Sequence, residues 1–335
     1  MYRRVPVLWK EEGDVNPWGI SFLRMFDMAT DSGLFATRAA LLEKGFKLEG
    51  NVFVKGEEKW LPLYEAKMIH KYNHRFGTNE GIVERKNTQL PSIQINDLCN
   101  SDNYAMPWYW VLSDIVHGKS RSNWHIVFRS IARSTDAKTL IVTIVPNSAL
   151  SGKLPSILSK QTISFRCLML ASLNSYILDY ICRQKVGGTD LNYKIMCQLP
   201  IVSPSQYTEN HLVIIVPKVI ELTYTARDLE GFAQDILKEI GEETWNTWFP
   251  DNPVHEGRVD PFIWNEERRF ILQRELDAIY AHLYGISRND LAYILDTFPI
   301  VQKHDEEVYG RFRTKEDVLM WYDHYANIEP YQKST

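Results

Sequence analysis

Cysteine is scarce: four residues in 335, at Cys99, Cys167, Cys182 and Cys197, none paired as C-x-x-C. That spacing argues against a structural zinc site and for a reduced, cytoplasmic protein. Long apolar runs are missing as well. The longest, such as 140–146 and 212–217, fall far short of the roughly 20 residues that a membrane helix needs, so no membrane is expected as a partner. The N-terminal MYRRVPVLWKEEGDV carries charge without an apolar stretch and does not read as a signal peptide. The chain also lacks a G-x-S-x-G elbow and a Gly-rich strand-to-helix turn for a nucleoside cofactor.

What is present is ordinary globular material, 44% hydrophobic and 24% charged, in a length that suits about two domains. The net charge of −4 hides a polarity. Residues 1–100 carry 14 basic and 13 acidic side chains, and residues 101–200 carry 11 and 5. Residues 201–335 carry 13 basic and 24 acidic. A polyanion would be attracted to the middle third and repelled by the last, although charge blocks also arise on solvated faces.

The patterning predicts an α+β fold. FKLEGNVFV (46–54) reads as a hairpin around Gly50-Asn51, and a helix could begin after Pro62. Residues 75–107 are polar and punctuated by glycine and proline. WHIVFRSIAR and TLIVTIVP, joined by a turn at 134–136, read as paired strands, and 147–160 as a loop. Helical spacing covers 165–185, with Gly187-Gly188 as a left-handed stop. Further helices are expected over 261–285 (capped by Asp260), 288–297 (opened by Ser287) and 314–325. The expected organisation is a sheet-containing domain over 1–203 and a mainly helical domain over 204–335.

Catalytic patterns are weak. Asn16-Pro17-Trp18 lacks the second proline of the Asn-Pro-Pro-aromatic loop that holds a flipped adenine, so a turn is the better reading. His70 and His74 would share a helical face as a zinc pair can, but no third ligand is near in sequence and Arg75 would repel a cation. Glu65-Ala66-Lys67 has the E-x-K form of metal-dependent nucleases, with Asp27 or Asp31 as upstream acids. No metal or cofactor is expected in this chain.

Binding chemistry is richer. Lys119, Arg121 and Asn123 lie in HGKSRSNW, ahead of Arg129 and Arg133, which would flank Ile131 if that run is a strand. Arg183, Lys185, Asn192, Tyr193 and Lys194 surround Gly187 and Gly188, whose backbone can approach a phosphate without Cβ interference. A helix stop with solvated lysines is the plainer reading of each cluster alone. Their shared place in the one basic third favours a polyanion.

At these residues the chain resembles a known family. RQKVGGTDLNYKIMCQLPIV (183–202) looks like the end of the target recognition region in large bacterial N6-adenine DNA methyltransferases of restriction-modification and related phage-defence systems. LPLYEAKMIHKYNHRF (61–76) and WHIVFRSIARSTDAKTLIVTIVP (124–146) resemble the family's "PLYEAKM" segment and its Arg-rich strand pair. Residues 262–299 and 309–319 resemble its helical tail. One departure is Asn73, where the family has Asp. The resemblance implies a DNA-binding module whose partners are double-stranded DNA and a methyltransferase catalytic domain, in the same polypeptide or a subunit. S-adenosylmethionine would belong to that domain, so this chain alone is not expected to be catalytic. It implies backbone contacts from Arg121, Arg129, Arg133, Arg183 and Lys185, and base or groove contacts from Asn123, Asn192 and Tyr193. The alternatives are a nuclease using Glu65 and Lys67, or a protein-interaction scaffold of a defence complex.

Overall fold

The computed structural model describes residues 2–85 and 89–328. Its strands are β1 (Ile20–Leu23), β2 (Phe35–Thr37), β3 (Lys47–Glu49), β4 (Val52–Lys55), β5 (Glu58–Tyr64), β6 (Tyr109–Leu112), β7 (Trp124–Phe128), β8 (Val142–Pro146), β9 (Ala149–Leu150) and β10 (Ser156–Ser159). They form an antiparallel sheet of order β1-β10-β7-β8 and a second of order β2-β6-β5-β4-β3, with β9 parallel to β5. Helices dominate after Ile163, so the chain is a mixed α+β fold with a helical C-terminal region.

The expected strand pair is β7 with β8, in register from Trp124 opposite Pro146 to Phe128 opposite Val142. Both strands are buried on both faces, which explains their nearly unbroken apolar run. The pleat divides them between two cores. Trp124, Ile126, Phe128, Val142 and Ile144 face the larger one, while Val127 and Val145 face the smaller core beneath β5 and β9. The hairpin at 46–54 also forms, β3 against β4, with Gly50 at φ +61° in its turn.

Several boundaries differ from expectation. The stretch around Pro62 is strand β5, with Pro62 opposite Trp110, followed by a short 3₁₀ turn at Ala66–Met68. Aromatic residues and the extended bias that Pro62 places on Leu61 outweigh the helical signal there. Residues 147–160 are no simple loop, because β10 lies between β1 and β7. The 165–185 run is two helices, Ile163–Asn174 and Tyr176–Lys185. They are broken at Ser175, whose extended backbone (φ −68°, ψ 150°) lets its hydroxyl cap Leu178 N. That second helix ends at Val186, which is extended at φ −82° and ψ 97°. Gly187 and Gly188 are absent from the left-handed glycines, so they are not the stop they were expected to be. The helix expected from Asp260 begins later, at Glu266–Leu283. Asn265 caps it by accepting from Arg268 N at 2.9 Å, and Glu266 and Glu267 complement the helix dipole in its first turn. Ser287 opens the Arg288–Asp296 helix as expected.

The larger core does not stop at residue 203. It joins β1, β7 and β8 to the Ile163–Asn174 and Tyr176–Lys185 helices, and these to the Glu209–Thr223 and Glu266–Leu283 helices. No helix among the described residues is long and apolar enough to cross a membrane.

Candidate nucleic-acid interface

Strand β7 ends at Phe128, and the chain turns away from the sheet instead of continuing to Arg133. Ile131 forms a bridge with Asp190, Ala132 N donates to the Thr189 carbonyl at 3.1 Å, and Leu191 N donates to the Ser130 carbonyl at 2.7 Å. The expectation that Arg129, Ile131 and Arg133 alternate on one strand is therefore wrong. Backbone pairing instead joins the two basic clusters, bringing Arg133 to the loop that holds Gly187 and Gly188.

Three segments make this edge. Arg133 and Lys194 are exposed, and their side chains make no hydrogen bond or ion pair among the described residues. Tyr193, next to Lys194, is 36% exposed, its ring stacked on Phe22 at 4.8 Å and 14°. Asn192 holds that tyrosine in place by capping the short Tyr193–Cys197 helix, accepting from Ile195 N at 3.0 Å. Gly187 and Gly188 are exposed, and no atom lies within 4 Å of the Cβ position of either. Lys153 joins from the β9–β10 connection, its Nζ 3.1 Å from Asp190 Oδ1. Asp27, Asp136 and Asp190 lie within the same surface.

Other expected contact residues lie elsewhere. Arg121 and Asn123 precede the opposite end of β7, about 17 Å away for five extended residues, whereas the Lys119 side chain lies on Phe26, which is bridged to Ser151. Lys119 Nζ is 4.9 Å from the Phe26 ring centroid, and Asn123 packs against Gly231, whose added Cβ would come within 3.1 Å of it. Arg121 is exposed and makes no side-chain bond among the described residues. Arg129 donates from Nε to the Ala66 carbonyl at 2.8 Å, and burial lowers its pKa despite the nearby Asp136. Arg183 is also turned inward. Its guanidinium donates to Asp179 Oδ2 at 3.0 Å and to the carbonyls of Asp136 and Ala137 at 2.5 and 2.9 Å, lying 4.2 Å over Phe298. Lys185 donates to Gln198 Oε1 at 3.1 Å and lies 5.2 Å over Tyr2.

Arg183 belongs to a buried ionic network. Asp277 accepts from Tyr176 N at 2.9 Å and from Arg274 Nη2 at 3.0 Å, with Lys71 Nζ 3.9 Å away. Asp179 Oδ1 accepts from the backbone N–H groups of Thr139 and Leu140 at 2.9 and 2.6 Å. Lys138 Nζ lies 3.3 Å over the Tyr176 ring. Burial pushes Lys71 well below its ordinary value and Lys138 down to about 8. Burial alone would raise Asp277, but Lys71, Arg274 and Lys138 together hold its carboxyl below the usual range.

The weaker catalytic candidates also have definite places. His70 and His74 lie beyond the 3₁₀ turn and not on a helix, and His70 N and Asn73 O close a tight bridge at 2.7 Å. Burial, then the charges of Arg129, Lys71 and Lys138, lower His70 to about 3. His74 Nε2 is 2.9 Å from Asp228 Oδ1. Arg75 is fully buried and donates to the carbonyls of Leu98, Asn100, Asn103 and Thr225, so it ties distant loops together. Asn73 accepts from Arg75 N at 2.8 Å. Glu65 is held by Arg85 at 2.8 Å and Lys67 at 3.7 Å, and two cations on one carboxylate disfavour a metal ligand. Among the described residues, no group of three His, Cys, Asp or Glu side chains could hold a metal ion. Asn16 pairs with the backbone of Ile20 at 2.8 and 2.9 Å, and Trp18 is fully buried, as befits a turn.

Lys153 and, beside it, Arg24 are the surface cations that sequence reading missed. Gly152-Lys153 repeats the Gly118-Lys119 pair and could have flagged the first. Arg24 lies in the nearly neutral first hundred residues, where no composition signal points to it. No protein-family model matches this chain, and no curated protein matches it.

Proposed function

We propose that the chain is the DNA target-recognition module of an N6-adenine DNA methyltransferase of restriction-modification or phage-defence type. One observation carries this reading: segments 130–132 and 189–191 are paired by backbone hydrogen bonds, with exposed Arg133 and Gly188 at one end of the pairing and exposed Tyr193 and Lys194 following its other end. Guanidinium and ammonium groups grip phosphate oxygens, while an amphipathic ring and open glycine backbone can approach a groove. Asn192 and Tyr193 are the candidates for groove contacts. Arg121 would form a second, separate contact at the far end of β7. Arg183 serves the interior and is left out of the contact set, and Arg129 acts chiefly as a brace.

Methyl transfer and S-adenosylmethionine belong to a catalytic domain in the same polypeptide or a partner subunit, acting in the cytoplasm. This module would hold the duplex while that domain extrudes the adenine. The acidic C-terminal helices, kept away from phosphates by their own charge, would face protein.

Fluorescence anisotropy with a labelled 20-base-pair duplex, titrated over a series of salt concentrations, tests the reading. The expected result is binding whose log affinity falls linearly with log salt. Arg133→Ala with Lys194→Ala should reduce that slope by roughly 2, one for each lost phosphate contact. Absence of binding at low salt, or a slope unmoved by the double variant, would overturn it.

A further inference from the structure

Arg24 follows β1 directly, and its guanidinium crosses the backbone of Gly152. A Cβ built on Gly152 would meet Arg24 Nε at 2.6 Å, Nη2 at 2.9 Å and Cζ at 3.1 Å. Gly152 has no left-handed φ, so its conformation would accept alanine; the close approach of Arg24 is what excludes a side chain. The same Nη2 pairs with Asp27. That carboxylate is itself fixed, because Asp27 Oδ1 accepts from Ala29 N at 2.9 Å. Arg24 is thus paired with Asp27 and packed against Gly152, yet its side chain remains 53% exposed.

The surroundings match those of the proposed DNA edge. Phe22, two residues earlier, carries the stacked Tyr193 ring, and the charge of Arg24 reaches the Tyr193 hydroxyl. Lys153, adjacent to Gly152, acts with Arg24 on Asp27 and pairs with Asp190 of the bridged segment. A flat guanidinium has five donors, and with Nη2 on Asp27 and Nε against Gly152, Nη1 is left to donate to a phosphate oxygen.

We propose that Arg24, seated over Gly152 and steadied by Asp27, is a preoriented phosphate clamp that extends the DNA-binding edge, with Gly152 as its positioning residue. This inference rests on the DNA-recognition reading and adds the residues that hold one backbone phosphate in register beside Tyr193. Preorientation matters because an immobilised side chain loses less entropy when the phosphate arrives.

A double-mutant cycle on the full chain tests it with the same 20-base-pair duplex. Arg24→Ala should weaken binding about tenfold at low salt and lower the salt slope by roughly 0.9. Arg24→Lys, which keeps the charge but loses the fork, should restore the slope and recover only part of the affinity. Gly152→Ala should lower affinity without lowering the melting temperature, because the atoms it meets are the end of a flexible side chain that can swing away. In the Arg24→Ala background, Gly152→Ala should add nothing. Wild-type affinity and slope for Arg24→Ala would overturn the clamp while leaving the DNA reading intact. So would an undiminished Gly152→Ala effect in the Arg24→Ala background. Failure of the unmodified chain to bind duplex at low salt would overturn both.

Discussion

The surface edge around Arg24, Arg133 and Lys153 and the buried network around Asp277 use the same side-chain chemistry for opposite ends. Inside, cations lie on carboxylates or rings: Arg274 and Lys71 on Asp277, Arg183 on Asp179, and Lys138 over Tyr176, its Nζ without a hydrogen bond among the described residues. Outside, Arg133 and Lys194 have no such partner among the described residues. Removing a charge from water costs several kcal/mol per ion, so an interior cation is tolerated only where partners are already fixed. A solvated cation incurs no such cost and remains available to an arriving phosphate. Arg133 and Arg183 come from the same basic third, yet burial alone separates their roles.

The largest test breaks the interior side. Asp277→Ala leaves Lys71 and Arg274 without their carboxylate, and denaturant unfolding should show a loss of about 3–5 kcal/mol. Arg133→Ala, measured in the same way, should stay within about 0.5 kcal/mol of the parent.

Acid should act on the interior next. Burial lowers His70 to about 3, and His125 and His211 each to about 4, from an ordinary 6.5. Because the folded values lie below the unfolded one, the unfolded chain takes up protons that the native state refuses. Stability is therefore full above about pH 6.5 and falls as pH drops toward 4. Calorimetry should show a melting temperature roughly 5–10 °C lower at pH 5 than at pH 7. His125→Gln should reduce that drop.

The smallest effect sharpens the exterior side. Tyr193→Ala removes a ring and no charge, so DNA affinity should fall by roughly 0.5–1.5 kcal/mol. The salt slope should stay unchanged, which separates ring contacts from the phosphate contacts proposed for Arg133 and Lys194.

Much of the frame was legible along the chain. The β7–β8 pair, the 46–54 hairpin and the Ser287 cap rest on neighbouring residues, so local patterns exposed them. Strand β10 and the fate of Arg183 were hidden, because each depends on partners far away in sequence. Leu158 is paired with Ser21, and Arg183 reaches back to Asp136. Element type follows from local periodicity, whereas burial and partnership follow from contacts that only the folded chain creates.

By itself, then, the sequence determined an α+β chain with a basic middle third and an acidic, helical end. Tertiary structure alone decided which of those basic residues face water. It sent Arg183 into the core, laid Lys119 on Phe26, and placed Arg24 over Gly152. The physical reason is desolvation: identical cations become braces or contacts according to whether the fold supplies their partners or leaves them to the solvent.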